Sequence, residues 1–350
     1  MLFGLFPRIH HDSGVPMVLI PVRHHPGRHC ASTGIRDLVN FHRIGWSEAM
    51  CFGIGAGLGI WYLDLAGISP SRLIHVRSAD IEEQFFRRIG YPFSWEVYDD
   101  PAQSERALCT CLERGLPAII RTDIYYLPYY NSSTHFPGHV IVVWGYDSEK
   151  KHFLVTDTER EDLIEVPFEN MRQARYSTGG FFEMMGNMFA PETISKPEDL
   201  SAIISNAIAF NSRVILNDAH DFQGIAGLKK WQQEVLNWGD LTDWQWTARF
   251  TYQVIERRGT GGGGFRPMYA DFLAEAEQYV PKVASLGLAQ QMVELGQAWH
   301  DLAMALKEAS EEKAPDFSEA EQRLRIVTAK ESAYHIDAAT LGGQVPRQSS

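Results

Sequence analysis

Residues 138–158 read "GHVIVVWGYDSEKKHFLVTDT", and this stretch decides how the first half of the chain is interpreted. Two runs rich in β-branched and aromatic residues, 138–147 and 152–158, flank the polar turn "DSEKK", a pattern that predicts an antiparallel hairpin. A similar run, "PAIIRTDIYYL" (117–127), predicts a further strand before the hairpin. Amphipathic helical patterns accompany these strands, so we expect an α+β fold built on an antiparallel sheet.

The predicted hairpin brings His139 and Asp157 together. With the turn near residue 149, these two residues lie roughly opposite each other on neighbouring strands. Opposed residues of paired strands have Cβ atoms about 5 Å apart, which suits a hydrogen bond between their side chains. Asp157 can then accept from one imidazole nitrogen and fix the tautomer of His139, which leaves the other nitrogen for a third group.

Cys30 is the candidate for that third group. It stands in "GRHCASTGIRDLVNFH" (27–42), where apolar residues recur at helical spacing directly after the cysteine. The nucleophilic form of cysteine is the thiolate, and a helix N-terminus helps to lower the thiol pKa from its usual value of about 8.5. We therefore predict Cys30 as the nucleophile, His139 as the base and Asp157 as the residue that orients the base.

Each of these residues also has an ordinary structural interpretation. Cys30 can be a small buried side chain, His139 a satisfied histidine at a strand start, and Asp157 a turn cap. The imidazole partner of the cysteine can also come from nearer in the chain, where three histidines stand: His24, His25 and His29. Agreement in order, element type and register favours the triad over these alternatives.

The other three cysteines, Cys51, Cys109 and Cys111, are expected in the core. A zinc site is a weaker alternative, because no second pair of Cys or His residues stands at zinc spacing from Cys109 and Cys111. Four unevenly spaced cysteines also do not form a disulfide framework. We expect free thiols in a reducing cytoplasm and no metal ion.

An acyl-transfer or hydrolytic site also needs donors for the oxyanion that forms during the reaction. The backbone N–H of the nucleophile is one such donor, and a side chain a few residues upstream is often another. The segment "PVRHHPGRHC" offers His24, six residues before Cys30, with His25 and Arg28 as alternatives.

The composition is typical of a soluble globular protein: of 350 residues, 45% are hydrophobic and 22% are charged. The formal net charge of −12 argues against a nucleic-acid-binding protein, which would carry a basic patch. The apolar stretches are far shorter than a membrane span, and the N-terminus lacks the basic region of a signal peptide. We therefore expect a cytoplasmic protein that acts without a membrane or a nucleic acid.

The pattern divides the chain into four predicted parts: an N-terminal arm (1–16), an α+β domain (17–175), a helical domain (176–312) and a polar, partly disordered tail (313–350). The α+β domain also carries a strand at 17–22, a short helix after Ser47 that ends in a glycine-rich turn, and helices at 81–90 and 104–115. The predicted helices of the second domain are 197–212, 221–238, 241–257, 265–285 and 286–310.

Two long motifs resemble a known family. The stretch "HCASTGIRDLVNFHRIGWSEAMCFGIGAGLGIWY" (29–62) resembles the N-terminal domain of the butirosin biosynthesis protein H family. The hairpin runs "GHVIVVWGYD" and "LVTDT" resemble the same domain and, more distantly, the peptidase C39-like branch of the papain superfamily. The stretch "WQWTARFTYQVIERRGTGGGGFRPMYADFLAEA" (244–276) is similar to the helical domain of unknown function fused behind it. The resemblance implies a papain-like (C39-like) cysteine-protease fold followed by an all-α domain.

The resemblance also implies an acyltransferase of secondary metabolism rather than a peptidase. The founding member of the family moves an acyl group from the phosphopantetheine arm of an acyl carrier protein to an amine of a small molecule. Carried over by position, Cys30 would hold the acyl group as a thioester, His139 would shuttle protons and Asp157 would orient His139. No tightly bound cofactor is implied, because the phosphopantetheine belongs to the carrier protein.

Two other functions stay open beside the acyltransferase. One is a hydrolase of the same fold that cleaves an amide or a thioester. The other is a catalytically inactive binding or scaffold protein. Self-association through the helical domain, giving a homo-oligomer, is compatible with any of the three.

Glycines and tyrosines in the first half are candidates for substrate binding. The stretch "FGIGAGLGIW" (52–61) lacks the third glycine of a dinucleotide-binding motif, so we expect Gly55 and Gly57 to let backbone pass close to the cleft or to another segment. The loop that leads to His139 carries four tyrosines, which either form a wall for the acceptor or pack the strand edge: Tyr125, Tyr126, Tyr129 and Tyr130.

Arg266 is a further candidate for substrate binding. It follows the glycine run of "RRGTGGGGFRPMYADFL" (257–273) at the start of a predicted helix. Together with backbone N–H groups, its side chain could hold an anion such as the phosphate of a pantetheine arm. The alternative interpretation is a flexible linker that ends in a helix cap.

Overall fold

A computed structural model describes residues 17–65, 67–180 and 184–342. The contacts divide the chain into two units. The first unit holds the chain up to Glu48 together with Tyr91–Lys196, and the second holds Ala49–Gly90 together with the chain from Pro197 onward. The predicted N-terminal arm (1–16) and the end of the predicted tail (343–350) lie outside the described residues.

An antiparallel sheet of six strands forms the centre of the first unit. Its strands are β1 (Met17–Leu19), β4 (Ala118–Asp123), β5 (Pro137–Asp147), β6 (His152–Thr156), β7 (Ile164–Pro167) and β8 (Met188–Phe189). Their order is β7-β6-β5-β4-β8, and β1 also pairs with β5. The predictions of an α+β fold and of an antiparallel sheet are confirmed.

The central hairpin forms as predicted, but with a different register. Val142 pairs with Thr156, and a bulge follows before Gly145 pairs with Leu154. His139 lies three residues before Val142. If the same register continued, His139 would face position 159 rather than Asp157. The predicted pairing is therefore wrong by two positions: the four-residue turn (148–151) shifts the register by three positions, and the bulge restores one of them.

Three helices complete the described part of the first unit: α1 (Cys30–Phe41), α4 (Pro101–Glu113) and α5 (Phe168–Arg175). Helix α1 packs closely on the sheet at Gly34, where an added Cβ atom would lie 3.2 Å from Ile119 and 3.3 Å from Val140. The buried apolar face of α1 includes Ile35, Leu38 and Val39, as its spacing predicts. The helix thereby carries Cys30 to one end of the strands.

The second unit is mainly helical but contains one hairpin. Its strands are β2 (Leu58–Asp64) and β3 (Arg72–Arg77). Its helices are α2 (Glu48–Ile54), α3 (Ile81–Arg88), α6 (Leu200–Leu216), α7 (Gly224–Glu234), α8 (Trp244–Glu256), α9 (Arg266–Ala276), α10 (Pro281–Ser285), α11 (Leu288–Glu311) and α12 (Ser318–Ala339). Only Glu48, the first residue of α2, belongs to the first unit. The predicted helix at 265–285 is divided in two, with Pro281 as the first residue of α10.

Residues 49–90 group with the C-terminal helices, which differs from the predicted domain at 17–175. Hydrogen bonds explain this grouping. The Asn211 side chain accepts from the N–H of Leu58 over 3.2 Å and donates to its carbonyl over 2.8 Å. The N–H of Tyr62 donates to the carbonyl of Phe222 over 2.8 Å. The sequence pattern predicts a glycine-rich turn at the residues that begin β2, and it does not predict this strand.

Most of the predicted polar tail is helix α12. Its buried positions recur every three or four residues: Ala320, Leu324, Val327, Glu331, Tyr334 and Ala338. This period is that of a helix with one face in a core, so the polar tail contains a helix over 318–339 that the sequence pattern does not predict. The disorder predicted for the tail falls on "GGQVPRQSS", of which 343–350 lie outside the described residues.

No helix among residues 17–65, 67–180 and 184–342 is long and apolar enough to cross a membrane.

Candidate functional site

Cys30 is the first residue of α1, directly after the N-cap residue His29. His29 has an extended backbone, and its side chain accepts from the N–H of Ser32 over 3.4 Å. The thiol of Cys30 is partly exposed, as a nucleophile requires. The N–H groups and the dipole of α1 favour a negative charge on the sulfur, whereas the carboxylate of Glu48, which accepts from the N–H of His29 at the same helix start, opposes it.

The other cysteines have different surroundings. Cys51 is buried in α2, whereas Cys109 and Cys111 lie on α4. Burial, together with Glu105 and Glu113, raises the pKa of Cys109 to about 12. Burial also raises the pKa of Cys111. These two thiols stay protonated at neutral pH, which suits the structural role predicted for them.

His139 and Asp157 form the hydrogen bond that the sequence predicts. The imidazole Nε2 atom lies 2.8 Å from Oδ1 of Asp157 and 3.0 Å from Oδ2. Only 6% of His139 and 2% of Asp157 is exposed. The two-position error in register does not separate them, because diagonal neighbours across paired strands also lie within side-chain reach.

Cys30 completes the arrangement. Its thiol hydrogen-bonds with the imidazole of His139, whose Nε2 atom is directed at Asp157. The remaining ring nitrogen, Nδ1, is therefore the atom available to the sulfur. Burial opposes a charge on His139, but the Asp157 carboxylate and Cys30 outweigh it and raise the pKa of His139. The structure thus brings together all three predicted triad residues in a geometry that favours an imidazolium beside a thiolate.

Asp157 has further donors besides His139. The hydroxyl of Tyr129 donates to Oδ2 over 2.7 Å, and the N–H of Thr158 donates to Oδ1 over 2.6 Å. Burial works against its negative charge, but these donors and His139 lower the pKa of Asp157. The carboxylate is therefore ionised at neutral pH and holds the imidazole in one orientation.

Tyr130 and Arg160 lie beside the His139–Asp157 pair. The hydroxyl of Tyr130 is 3.3 Å from Nε2 of His139, and the two rings meet edge to face at 5.5 Å. The guanidinium of Arg160 lies 5.7 Å from the Tyr129 ring centre and 6.0 Å from that of Tyr130. It also donates to the carbonyl of Tyr129 over 3.0 Å. No pattern in the sequence indicates this position for Arg160.

Asp123 fixes both ends of the loop that carries these tyrosines. Its fully buried carboxylate accepts from Nδ1 of His135 and from the hydroxyl of Ser177, each over 2.6 Å. It also accepts from the N–H groups of Tyr125 and Phe136 over 3.0 and 2.9 Å. Burial alone would raise the pKa of Asp123, but these four donors lower it. The strand-end aspartate in "RTDIYY" was a signal for this role that we did not use.

The four candidate tyrosines have different neighbours. Tyr125 is exposed and stacks on His135 with ring centres 4.1 Å apart, and Tyr126 meets Tyr125 edge to face at 5.0 Å. Tyr129 and Tyr130 instead contact the triad. Only the second pair is therefore in direct contact with the predicted catalytic residues.

His24 does not fit the predicted role of oxyanion donor. Its Nδ1 atom donates to Asp37 over 2.6 Å and its Nε2 atom donates to the carbonyl of Arg160 over 2.8 Å. Both ring nitrogens are thus used for structural hydrogen bonds. His25 and Arg28 are exposed on the same segment and stay candidates for this role.

Gly55 and Gly57 have a packing role in the second unit. An added Cβ atom on Gly55 would lie 2.5 Å from Ile81, and one on Gly57 would lie 2.6 Å from Phe52. Both glycines let buried segments approach closely, which supports the packing alternative over substrate binding.

Arg266 does not fit a phosphate-binding site. Its side chain is fully buried, with Nη2 2.7 Å from Glu331 Oε1 in an ion pair. Its Nη1 atom donates to the carbonyl of Gly264 over 2.7 Å, and its guanidinium lies 4.7 Å from the ring centre of Trp299. A buried arginine already neutralised by a carboxylate is a structural ion pair, so this prediction is wrong.

Among the described residues, no group of three or more His, Cys, Asp or Glu side chains could hold a metal ion.

Comparison with known families gives two matches. Residues 29–158 match the family model described as "Butirosin biosynthesis protein H, N-terminal", and this range contains all three triad residues. Residues 169–337 match the "Domain of unknown function (DUF4872)". No curated protein matches the chain. The chain therefore carries an N-terminal domain of the butirosin biosynthesis protein H type followed by DUF4872, the two-domain arrangement that its motifs indicate.

Proposed function

We propose that this protein is a cysteine-dependent acyltransferase with a papain-like N-terminal domain. It moves an acyl or aminoacyl group from the phosphopantetheine thioester of an acyl carrier protein to an amine and forms an amide. The observation that carries the proposal is the hydrogen-bonded series of Cys30, His139 and Asp157. A nucleophile at a helix start, with a base and an acid from neighbouring strands of an antiparallel sheet, is the arrangement of papain-like enzymes.

In the first step, the thiolate of Cys30 attacks the carbonyl carbon of the carrier thioester. The tetrahedral intermediate expels the pantetheine thiolate, which takes a proton from the imidazolium of His139. The products are a thioester on Cys30, a free pantetheine thiol and a neutral imidazole. One thioester replaces another, so the step is nearly isoenergetic.

In the second step, the amine attacks the thioester carbonyl of the acylated Cys30. The neutral imidazole of His139 takes the proton that the amine nitrogen loses, and the carbon–sulfur bond breaks. An amide leaves, and the thiolate–imidazolium pair is restored. Asp157 keeps the imidazole oriented in both steps, because Tyr129 and the Thr158 N–H also hold its carboxylate.

The surroundings of the base support transfer rather than hydrolysis. His139 and Asp157 are almost completely buried. Tyr129 and Tyr130 contact them, and Arg160 lies over both tyrosine rings. This packing limits the access of water to the base, which an enzyme that holds a reactive thioester requires.

The exposed aromatic pair on the same loop supports a cationic acceptor. Tyr125 and His135 stack beside each other at the start of the loop that carries Tyr129. Aromatic faces attract ammonium groups, so this pair suits an amine-bearing small molecule that binds as an ammonium ion and releases that proton to solvent before its neutral amine attacks.

The proposed oxyanion donors are the backbone N–H of Cys30, with His25 or Arg28 as the second group. The proposed partners are the acyl carrier protein and the amine, without a tightly bound cofactor, a membrane or a nucleic acid. The proposed location is the cytoplasm, and the protein can act as a monomer or as a homo-oligomer.

A hydrolase is the second candidate, because the same triad can activate water. One assay separates the two: the full-length chain is incubated with an acyl-carrier thioester, with and without a panel of amines, and the products are identified by mass spectrometry. We expect an acylated Cys30 peptide, and amide rather than free acid when an amine is present. Cys30→Ala should abolish both products. Free acid in every reaction would establish hydrolysis and contradict the transferase.

A further inference from the structure

Glu48 lies at the start of the nucleophile helix, although it belongs to another helix in the sequence. It is the first residue of α2, eighteen residues after Cys30. Its Oε1 atom accepts from the N–H of Arg28 over 3.0 Å and from the N–H of His29 over 2.8 Å. Its Oε2 atom accepts from the same N–H of Arg28 over 2.9 Å. One carboxylate thus binds the two peptide groups that lead into the nucleophile.

The same carboxylate also binds the first turn after Cys30. Oε1 accepts from the hydroxyls of Ser32 over 2.9 Å and of Thr33 over 3.1 Å. Its donors therefore lie on both sides of Cys30 in the chain. A helix N-terminus is usually capped from within its own helix or by the residue before it, and α1 already has such a cap in His29. The contacts of Glu48 therefore go beyond those of a cap on α1.

Gly27 makes the close approach to this carboxylate possible. An added Cβ atom on Gly27 would lie 2.0 Å from the Thr33 hydroxyl and 2.8 Å from Oε2 of Glu48. The N–H of Gly27 donates to the carbonyl of Thr158 over 2.5 Å, and Thr158 directly follows Asp157 of the triad. The turn before Cys30 is thus fixed to Glu48 on one side and to the Asp157 loop on the other.

We infer that Glu48 is a positioning residue that holds the Cys30 thiol within reach of His139. The inference rests on the proposed function only in taking Cys30 as the nucleophile. The negative charge of Glu48 opposes a thiolate nearby, so its contribution comes from geometry rather than from charge. A displacement of about 1 Å at a reacting group can lower a rate on the order of a hundredfold, which gives such a residue a large effect.

Three substitutions at Glu48 and one at Gly27 separate geometry from charge. In Glu48→Gln, the amide oxygen at the Oε1 position still accepts all four bonds made by that atom, whereas the amide nitrogen at the Oε2 position is a donor and makes no bond with the Arg28 N–H. Glu48→Asp keeps the charge but is one methylene too short to reach the donors. Glu48→Ala removes both the charge and the acceptor atoms. Gly27→Ala disturbs the same contact from the opposite side, because its methyl group would displace the Thr33 hydroxyl and the Glu48 carboxylate.

The experiment follows alkylation of Cys30 by iodoacetamide between pH 5 and pH 10, with the Cys30 peptide quantified by mass spectrometry. In the wild-type chain, we expect fast alkylation to persist below pH 7, since the thiolate is paired with the imidazolium. Glu48→Ala, Glu48→Asp and Gly27→Ala should lower the rate at pH 6 by about tenfold or more and give the profile of an ordinary thiol. Glu48→Gln should stay within about twofold of the wild type.

Glu105→Gln is the matched control, because Glu105 is also a partly exposed glutamate of the first unit and pairs with Arg172 instead. Circular dichroism verifies the fold of each variant, and Glu48→Gln with Glu48→Asp decides the question if Glu48→Ala does not fold. A wild-type profile in Glu48→Asp, or a loss in Glu48→Gln as large as that in Glu48→Asp, would overturn the inference. Alkylation needs no substrate, so a chain that gives the expected profiles but transfers no acyl group would disprove only the proposed function.

Discussion

His24 donates from its Nδ1 atom to Oδ2 of Asp37 over 2.6 Å, in an almost completely buried contact. The Nε2 atom donates to the Arg160 carbonyl over 2.8 Å, so both ring nitrogens carry a proton and the imidazole is charged. Burial opposes this charge, but the bonds to Asp37 and Arg160 outweigh it and raise the pKa of His24. The segment before Cys30 is thereby attached to both α1 and the loop after Asp157.

The first prediction concerns the pH dependence of this attachment. Because the folded-state pKa of His24 is raised above 6.5, its stabilising contribution is complete below pH 6.5 and is lost as the pH rises through the folded value. His24→Ala should lower the free energy of unfolding by about 1.5–3 kcal/mol at pH 6, and by less at alkaline pH. Urea denaturation at several pH values measures this difference. His25→Ala, at the exposed neighbouring histidine, should have little effect, and a constant loss across pH in His24→Ala would contradict the prediction.

The second prediction tests the pairing of Cys30 with His139. Cys30 contributes to the raised pKa of His139, beside the larger effect of Asp157. Cys30→Ala should therefore lower the pKa of His139. This pKa should still be higher than the pKa of a histidine that has no partner such as Asp157. Titration of the His139 ring by NMR gives the value directly. The matched control is Cys109→Ala, and an equal His139 pKa in the wild type and in Cys30→Ala would show that the two groups are not coupled.

The third prediction concerns the second donor to Asp157. Tyr129→Phe keeps the ring beneath Arg160 but removes the hydroxyl that donates to Oδ2. A hydrogen bond to a charged group contributes about 1.5–3 kcal/mol, so we expect acylation of Cys30 to slow by about ten- to a hundredfold. Single-turnover acylation with a thioester substrate measures the rate. Tyr125→Phe, which alters an exposed ring stacked on His135, should acylate at the wild-type rate. If Tyr129→Phe and Tyr125→Phe acylate at equal rates, the Tyr129 hydroxyl does not contribute to acylation.

The sequence was sufficient to place Cys30, His139 and Asp157 near one another, because each lies on or directly after an element with a strong local pattern. Cys30 begins a helix with clear apolar spacing, and His139 is the third residue of a strand rich in β-branched residues. Asp157 directly follows β6, and the error in register left it within reach, since diagonal neighbours on paired strands can be bridged by an aromatic side chain such as imidazole. Local patterning therefore identified three side chains that the structure brings together, although it did not give the exact pairing of the strands.

The residues that support the triad were harder to predict, because their signals depend on tertiary contacts. Glu48 stands at the start of the short helix predicted after Ser47, and nothing in the local sequence links it to a helix eighteen residues earlier. Gly59 is part of the predicted glycine-rich turn, but it lies in β2 at an irregularity in the pairing with β3. A Cβ atom there would lie 2.2 Å from the Arg77 carbonyl, so the glycine allows the two strands to approach closely at the bulge. In α12, the buried face includes Glu331 and His335, which made the segment look solvent-exposed.

The last prediction tests the structural role of Arg266. Glu331 accepts from Arg266, Trp299 and His335, and despite burial these partners lower its pKa to about 2. Arg266→Met removes the cation and leaves a buried carboxylate without its main partner, so we expect a loss of about 3–5 kcal/mol in the free energy of unfolding. The double variant with Glu331→Gln should recover part of this loss, because the uncompensated charge is then absent. Chemical denaturation of both variants measures the effect. A phosphate-binding arginine would instead leave stability unchanged and weaken the binding of the carrier protein, as would be seen in a titration with the pantetheine-loaded carrier.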